Sequence, residues 1–358
     1  MVKILHAADF HLDSPFAGLS PERARLRRQE SRALPDRLVD WANDHGAELL
    51  LLSGDLFDGS EVYPETMEAL VSALGRFRGE VVIAAGNHDP YTSRSPYASA
   101  LGPANVHIFQ TDRLEKLEFP QYGCTVWGAA FTSERSEALE LPFRFAASEE
   151  TVSLLVIHGD VAAPQSPYRP ILLPALAQSG LDYAALGHIH ACSGVRRAEG
   201  VSYAYPGCPE GRGFDELDEK GFLFGTVGKG TADLEFVPFA RRKYRKISAD
   251  GTENASAACR EALQGCAEDI VRLTLTGEGS VDTEALEREL AGLAWQLEVR
   301  SEMHAAEDLW EHCGEDTLRG VFLQRLRTQF EEAQTEEERT VIEQAVRFGI
   351  AAMEGRDL

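Results

Sequence analysis

The chain has 358 residues, 44% of them hydrophobic, and a formal charge of −23. That length and apolar content support one large folded domain with one or two small ones. So acidic a balance excludes a protein that grips polyanions over its whole surface, leaving any nucleic-acid contact local.

The opening run "MVKILHAADF" is broken by His6 and Asp9, and it does not read as a signal peptide. No apolar stretch approaches the ~20 residues of a membrane span. The six cysteines, at 124, 192, 208, 259, 266 and 313, form no C-x-x-C pair. Reduced thiols, no membrane and a cytoplasmic location are therefore expected. Strand-like runs follow one another as "VKILHAAD", "AELLLLSGD", "EVVIAAGN", "CTVWGAAF", "TVSLLVIHG" and "YAALGH". Several are near-continuously apolar, as strands covered on both faces are. Helical patterns at 21–45 and 64–77 separate them, which predicts an α/β layered core over residues 1–240.

Composition shifts at "RRKYRKISADG". Residues 244–302 then read as strand, helix, strand, helix, strand, a small second unit. A C-terminal segment, 303–358, carries helices at 314–332 and 335–353, the second opening with Thr335 and Glu338 at capping-box spacing. Their apolar positions, Leu318, Val321, Phe322 and Leu326, then Ile342, Ala345, Val346 and Ile350, recur with helical period. Residues 251–358 hold 24 Asp and Glu against 10 Arg and no Lys, so the acidity is concentrated there.

Ligand-type residues sit where the predicted strands end: Asp9 and His11, Asp55, Asn87 and His88, His158, then His188 and His190. Open α/β sheets gather their sites at such ends. Gly54, Gly86, Gly159 and Gly187 stand beside four of these clusters, and a residue without Cβ lets backbone turn sharply and approach closely. Two aspartates, four histidines and an asparagine oxygen form a nitrogen and oxygen donor set with no thiolate, suited to Mn²⁺, Fe or Zn²⁺. Seven donors exceed what one tetrahedral ion needs but fit two ions sharing a carboxylate, Asp55 being the natural bridge. Two metals ~3.5–4 Å apart form the clamp used to cleave phosphate esters. The string "GNHD" alone would arise by chance in only ~0.2% of chains this long.

D-x-H, G-D-x-x-D, G-N-H-D, a lone His-Gly after a strand, and G-H-x-H together resemble the motifs of calcineurin-like metallophosphoesterases. "HLDSPFAGL", "GNHDPY" and "YPGCPEGRGFDELDEKGF" are similar to the SbcD/YhaO-type bacterial DNA repair exonucleases. The resemblance covers roughly residues 1–240. It implies a sandwich of two mixed β-sheets flanked by helices, with residues 244–302 as a β-α-β-α-β cap and the last helices docking an SMC-like ATPase. It also implies one metal held by Asp9, His11, Asp55 and His190, and a second by Asp55, Asn87, His158 and His188, with Mn²⁺ as the expected ion. His88 corresponds to the catalytic histidine that is not a ligand. Asp58 is expected to accept a hydrogen bond from His88 and favour its charged form. Archaeal and eukaryotic relatives carry histidine where this chain has Asp58, and bacterial ones commonly carry aspartate. The implied activity is exonuclease- or endonuclease-type processing of DNA ends in repair, with a second copy of the chain as a further partner. The alternatives are a phosphatase or small-molecule phosphodiesterase of the same superfamily, which usually has an arginine where Gly59 stands, and a DNA-end-binding assembly component.

His6, on the first strand, reads as a core histidine with its hydrogen bonds met, and Asp13 as a turn residue. Asp89 and Asp160 follow ligand positions and are candidates for orienting them. Arg23, Arg25, Arg27, Arg28 and Arg32, with "RRKYRK", read either as solvated faces or as phosphate-positioning patches. The loop "GCPEGRG", 207–213, reads as a structural turn.

Overall fold

The computed structural model describes the chain except for residues 60, 100–101, 140, 143–144, 146–149, 162, 305–308 and 356–358. Strand β1 (Val2–Ala7) is followed by helices α1 (Pro21–Arg32) and α2 (Leu34–Asp44), then β2 (Leu49–Leu52), α3 (Pro64–Gly75) and β3 (Glu80–Ile83). Next come α4 (Pro96–Ser99), β4 (Val106–Ile108), β5 (Glu115–Phe119), β6 (Cys124–Ala129), β7 (Val152–His158), α5 (Leu173–Gln178) and β8 (Tyr183–Gly187). The strands β9 (Arg196–Ala198), β10 (Val201–Ala204), β11 (Gly221–Gly228) and β12 (Thr231–Pro238) complete two six-stranded mixed sheets, β12-β11-β1-β2-β3-β4 and β5-β6-β7-β8-β10-β9. In the first, β1 to β4 run parallel and β11 lies antiparallel beside β1. In the second, β6, β7, β8 and β10 run parallel, with β5 and β9 antiparallel at the edges.

Strand alternation builds the layers. Leu154 and Val156 of β7 join the large core that also holds Leu50, Val82, Leu38 and Leu74, whereas Leu155 and Ile157 turn to a second cluster with Leu176 and Leu186. All four leucines of β2 are fully buried, each worth up to about 1.5–3 kcal/mol. His6 lies between the sheets, its Nδ1 2.8 Å from Tyr183 Oη and its Nε2 3.1 Å from Ser53 Oγ, so both ring nitrogens have partners.

The helix expected over 21–45 is two helices broken at Ala33. Pro35 has no N–H to bond back to Ser31, which ends the first ladder there. Beyond β12, β13 (Tyr244–Asp250), α6 (Ala255–Ala262), β14 (Ile270–Thr276), α7 (Thr283–Glu289) and β15 (Gln296–Ser301) alternate as expected and form a sheet in the order β13-β14-β15.

By compactness the chain divides into one unit of Met1–Ile247, Leu263–Arg272 and Ala291–Glu298, and another of Ser248–Ala262, Leu273–Leu290 and Val299–Leu358. The second unit ends in α8 (Leu318–Glu332) and α9 (Glu336–Glu354), the latter opened by the Thr335/Glu338 capping box. Arg319, near the start of α8, pairs with Glu354 at the end of α9, so the two run antiparallel. Leu323, Val346 and Ile350 are buried between them, but Leu318 and Val321, expected on the same apolar stripe, are exposed. Among the described residues no helix is long and apolar enough to cross a membrane.

Candidate metal centre

The residues singled out in the sequence follow the C-terminal ends of parallel strands: Asp9 and His11 after β1, Asp55 and Asp58 after β2, Asn87 and His88 after β3, His158 closing β7, and His188 and His190 after β8. Asp9, His11, Asp55 and His188 have φ of 56, 46, 50 and 111°. For residues with a side chain that backbone costs about 1–3 kcal/mol each and persists only where the surroundings enforce it. The enforcement is a ladder between the first two loops: Asp9 N donates to Gly54 O, His11 N to Asp55 O and Leu12 N to Leu56 O, at 3.0, 2.9 and 2.8 Å. A Cβ on Gly86 would strike the Asp55 carboxylate, and one on Gly187 the Ser53 carbonyl. Glycine is what lets these strand ends approach.

Asp9, His11 and His190 offer donor atoms within 4.8 Å of one another, and so do Asp9, Asp55 and His158. Asp9 belongs to both groups, and the Asp55 Oδ2 atom of the second lies 3.3 Å from His158 Nε2 and 3.8 Å from His11 Nε2 of the first. Asn87 Oδ1 is 2.9 Å from His158 Nε2. His188 takes part differently. Its backbone N–H donates to both Asp9 carboxylate oxygens, at 3.1 and 3.2 Å, and its ring centroid is 5.3 Å from that of His158 and 5.0 Å from that of Tyr168.

The donor chemistry fits divalent cations. His158 Nδ1 faces the Ser53 carbonyl at 2.8 Å and must donate there. Its Nε2 is left facing Asn87 Oδ1 at 2.9 Å and Asp55 Oδ2 at 3.3 Å, two acceptors that are satisfied by a proton on that nitrogen or, once the proton leaves, by a bound cation. His11 Nδ1 and His190 Nδ1 lie 3.0 and 2.7 Å from carboxylate oxygens of Asp58 and Glu216, so their Nε2 lone pairs converge, 3.2 Å apart. Carboxylate partners that fix the tautomer are the usual support of metal-binding histidines. Burial opposes charge on His158, but the Asp55 carboxylate outweighs it and pushes the imidazole up to about 9. Burial also works against the Asp55 anion, yet His158 and His11 hold it well below the usual carboxylate range.

Asp58 departs from expectation. Its Oδ1 accepts hydrogen bonds from His11 Nδ1 and Arg212 Nη1, both at 3.0 Å, so it orients a candidate ligand rather than His88. The reason is the pairing of the first two loops, where Asp58 N donates to Leu12 O at 3.0 Å. His88 is exposed, its backbone N–H bonding Asp55 Oδ1 at 2.9 Å. It lines a cavity of about 450 Å³ with Asp58, Asn87, Glu134, Arg135 and Tyr168.

Asp89 is buried and accepts from the backbone N–H groups of Leu56, Phe57 and Gly86 and from Tyr97 Oη, at 2.7, 3.1, 2.7 and 2.5 Å. It thus braces the loops that carry Asp55 and Asn87. Burial and the Asp55 charge push its carboxyl up to about 7, against the bonds from Tyr97, Gly86 and Phe57. Asp160 meets Ile171 through its backbone oxygen, and Asp13 is a turn residue, accepting from Tyr63 N and Thr66 Oγ1.

The arginine-rich helix is mostly engaged internally. Arg27 is buried against Glu30 and Glu210, Arg28 donates to Pro15 O, Arg32 to Thr66, and Arg23 covers the Trp295 ring. In "RRKYRK", Arg242 pairs with Glu30 and Glu268, and Arg245 with Asp269. Sequence reasoning missed Arg212, Glu216 and Tyr168, which flank the candidate ligands from loops without periodicity.

Residues 2–192 match the family described as calcineurin-like phosphoesterase. The chain is 30% identical over 260 residues to the uncharacterized metallophosphoesterase YhaO of Bacillus subtilis, covering 70% of this chain and 63% of that protein. It is 24% identical over 354 residues to the DNA double-strand break repair protein Mre11 of Methanopyrus kandleri, covering 89% and 75%. It is 26% identical over 211 residues to one component of the nuclease SbcCD of Rhodobacter capsulatus, covering 55% of this chain and 50% of that protein. The chain thus spans less than two thirds of the length of YhaO and half that of the SbcCD component.

Proposed function

The chain belongs to the calcineurin-like phosphoesterase family, and from that premise we propose that it is a two-metal phosphodiesterase that processes DNA ends in repair. The observation that carries this reading is the Asp55 carboxylate, 3.8 Å from His11 Nε2 and 3.3 Å from His158 Nε2, within reach of one histidine of each donor group. Two ions, when bound, supply positive charge to a phosphate oxygen and an in-line arrangement of entering and leaving oxygens. Asp9, His11, Asp55 and His190 would hold one, and Asp55, Asn87, His158 and His188 the other. Manganese is the proposed ion, because the donors are nitrogen and oxygen without thiolate.

His88, exposed beside both groups, acts on the substrate: it stabilises the charge developing on phosphate or protonates the leaving oxygen, worth about 10²–10⁴-fold. Asp58 holds His11 in orientation, and Tyr168 and Arg135 line the cavity through which substrate reaches His88. Similarity to proteins named for double-strand break repair and for a nuclease supports DNA as the substrate. Gly59, standing where phosphatases usually carry an arginine, supports a diester over a monoester.

Residues 1–240 are proposed as the catalytic domain, 244–302 as a cap and 303–358 as the segment that docks an SMC-like ATPase, with Leu318, Val341 and Phe348 exposed for it. A second copy of the chain is a further proposed partner. Six free cysteines support a cytoplasmic location.

The test offers the purified protein, with Mn²⁺, a phosphomonoester, a generic phosphodiester and linear duplex DNA, with Asn87→Ala and His88→Ala as controls. Cleavage of the duplex that both substitutions abolish is expected. Turnover of the monoester alone would overturn the nuclease reading in favour of a phosphatase.

A further inference from the structure

We infer that Arg212 is a positioning residue: its guanidinium ties together the two carboxylates that orient His11 and His190, and so sets the geometry of the donor group Asp9, His11 and His190. The inference rests on the two-metal reading above. Arg212 Nη1 donates to Asp58 Oδ1 at 3.0 Å, the same oxygen that His11 Nδ1 meets at 3.0 Å. Arg212 Nη2 donates to Glu216 Oε1 at 3.1 Å, the same oxygen that His190 Nδ1 meets at 2.7 Å. The backbone N–H of Arg212 closes the loop on Glu216 Oε2 at 2.8 Å. Each of two carboxylate oxygens is therefore shared between one imidazole and one arm of a single planar fork.

The carboxylates come from unrelated places, Asp58 from the loop after β2 and Glu216 from the loop after β10. Each fixes one ring, and Arg212 links these two side-chain supports while the backbone of the two loops is tied separately through His188 N and Asp9, leaving the Nε2 atoms 3.2 Å apart. A fork with set spread holds both oxygens at a fixed separation; the three donors of an ammonium radiate from one nitrogen on a flexible stem and do not reproduce that spread. Lys220 serves a different end, donating to the backbone oxygen of His190 at 2.8 Å. The other donor group has its own supports, His158 on Ser53 O and the Asp89 carboxylate beneath the Asp55 and Asn87 loops. Arg212 should thus matter for one ion and not for the other.

The full chain, freed of metal, is titrated with Mn²⁺ alone by calorimetry and by electron paramagnetic resonance. The wild type is expected to take two ions and give the signal of a coupled pair. Arg212→Met is expected to weaken one ion about 10–100-fold, as loss of a ligand's supporting partner does, leaving the other unchanged and shifting the resonance toward an isolated Mn²⁺. Arg212→Lys, which keeps the charge, is expected to show the same selective loss and decides the matter should Arg212→Met melt early. His190→Gln should lose the same ion, and the double variant no more than His190→Gln. Wild-type affinity at both sites in Arg212→Lys and Arg212→Met, or equal weakening of both ions, overturns the inference alone. Absence of Mn²⁺ binding by the wild type overturns the two-metal reading and this inference with it.

Discussion

His11 and His190 lie 179 residues apart in the chain and bring their Nε2 atoms to 3.2 Å. They follow strands of different sheets, β1 and β8, so the contact exists only because the sheets pack with their parallel strand ends together. Two imidazole nitrogens, each with its opposite nitrogen against a carboxylate, present converging lone pairs. On the two-metal reading, removing one ring removes a ligand from one ion, whereas the loss of Asp55, placed between His11 and His158, disturbs both.

Asp55→Asn is therefore expected to abolish binding of both ions, whereas His190→Ala leaves the group around His158 intact. Loss of a two-ion clamp removes several kcal/mol of transition-state stabilisation, about 10³-fold or more in turnover. Metal analysis of dialysed protein, with hydrolysis of a phosphodiester, checks this. One ion retained by Asp55→Asn at wild-type affinity would show that the carboxylate is not shared.

His88 and Asp58 are expected to separate. His88 is exposed and outside both donor groups, so His88→Ala should keep wild-type Mn²⁺ affinity while turnover falls about 10²–10⁴-fold. Asp58 bonds the His11 ring, so Asp58→Asn should weaken metal binding about 10–100-fold and lower turnover chiefly at limiting metal. Saturating Mn²⁺ distinguishes them: it should restore most activity to Asp58→Asn and none to His88→Ala.

The positions of the candidate ligands were legible because each closes an apolar run, and strand ends in a parallel sheet share a side. Their supports were not. Asp58 meets His11 through the pairing of two loops, and Arg212 and Glu216 come from an irregular stretch whose path follows tertiary contact. Nor does the chemistry of an arginine reveal its partner: Arg27, read as solvated or phosphate-binding, is buried between Glu30 and Glu210. The β11–β12 hairpin was legible but unread, since "TADLEFVP" alternates inward and outward after a turn with Gly230 at φ 66°. In the terminal helices the period identified Val346 and Ile350 correctly but could not say how the faces are shared between α8 and α9, which leaves Leu318 exposed.

That exposed face yields a test of the proposed docking. Val341 and Phe348 of α9 are 60% and 53% exposed, so Val341→Glu with Phe348→Glu should alter the stability of the isolated chain by no more than about 0.5 kcal/mol each. The same pair should weaken association with an SMC-like ATPase at least tenfold, because charge is placed in an apolar contact. Unchanged association, measured by calorimetry with the purified partner, would remove this face from the proposed interface.

The pH dependence of stability should carry the mark of His6. Burial lowers its imidazole to about 3, against an ordinary value of 6.5, and its hydrogen bonds to Tyr183 and Ser53 are made by the neutral ring. Below pH 6.5 the unfolded chain takes up a proton at this position that the folded chain refuses. The stabilisation is thus complete above pH 6.5 and is lost as pH falls toward 3, by about 1.4 kcal/mol per pH unit. His6→Phe forfeits two hydrogen bonds, each worth about 1 kcal/mol, and should be the less stable protein at pH 7. Being unable to titrate, it should lose less on acidification. Urea unfolding of both metal-free proteins between pH 4.5 and 7 should therefore show the gap between them narrowing as pH drops. A gap independent of pH would mean that folded His6 protonates as readily as it does in the unfolded chain.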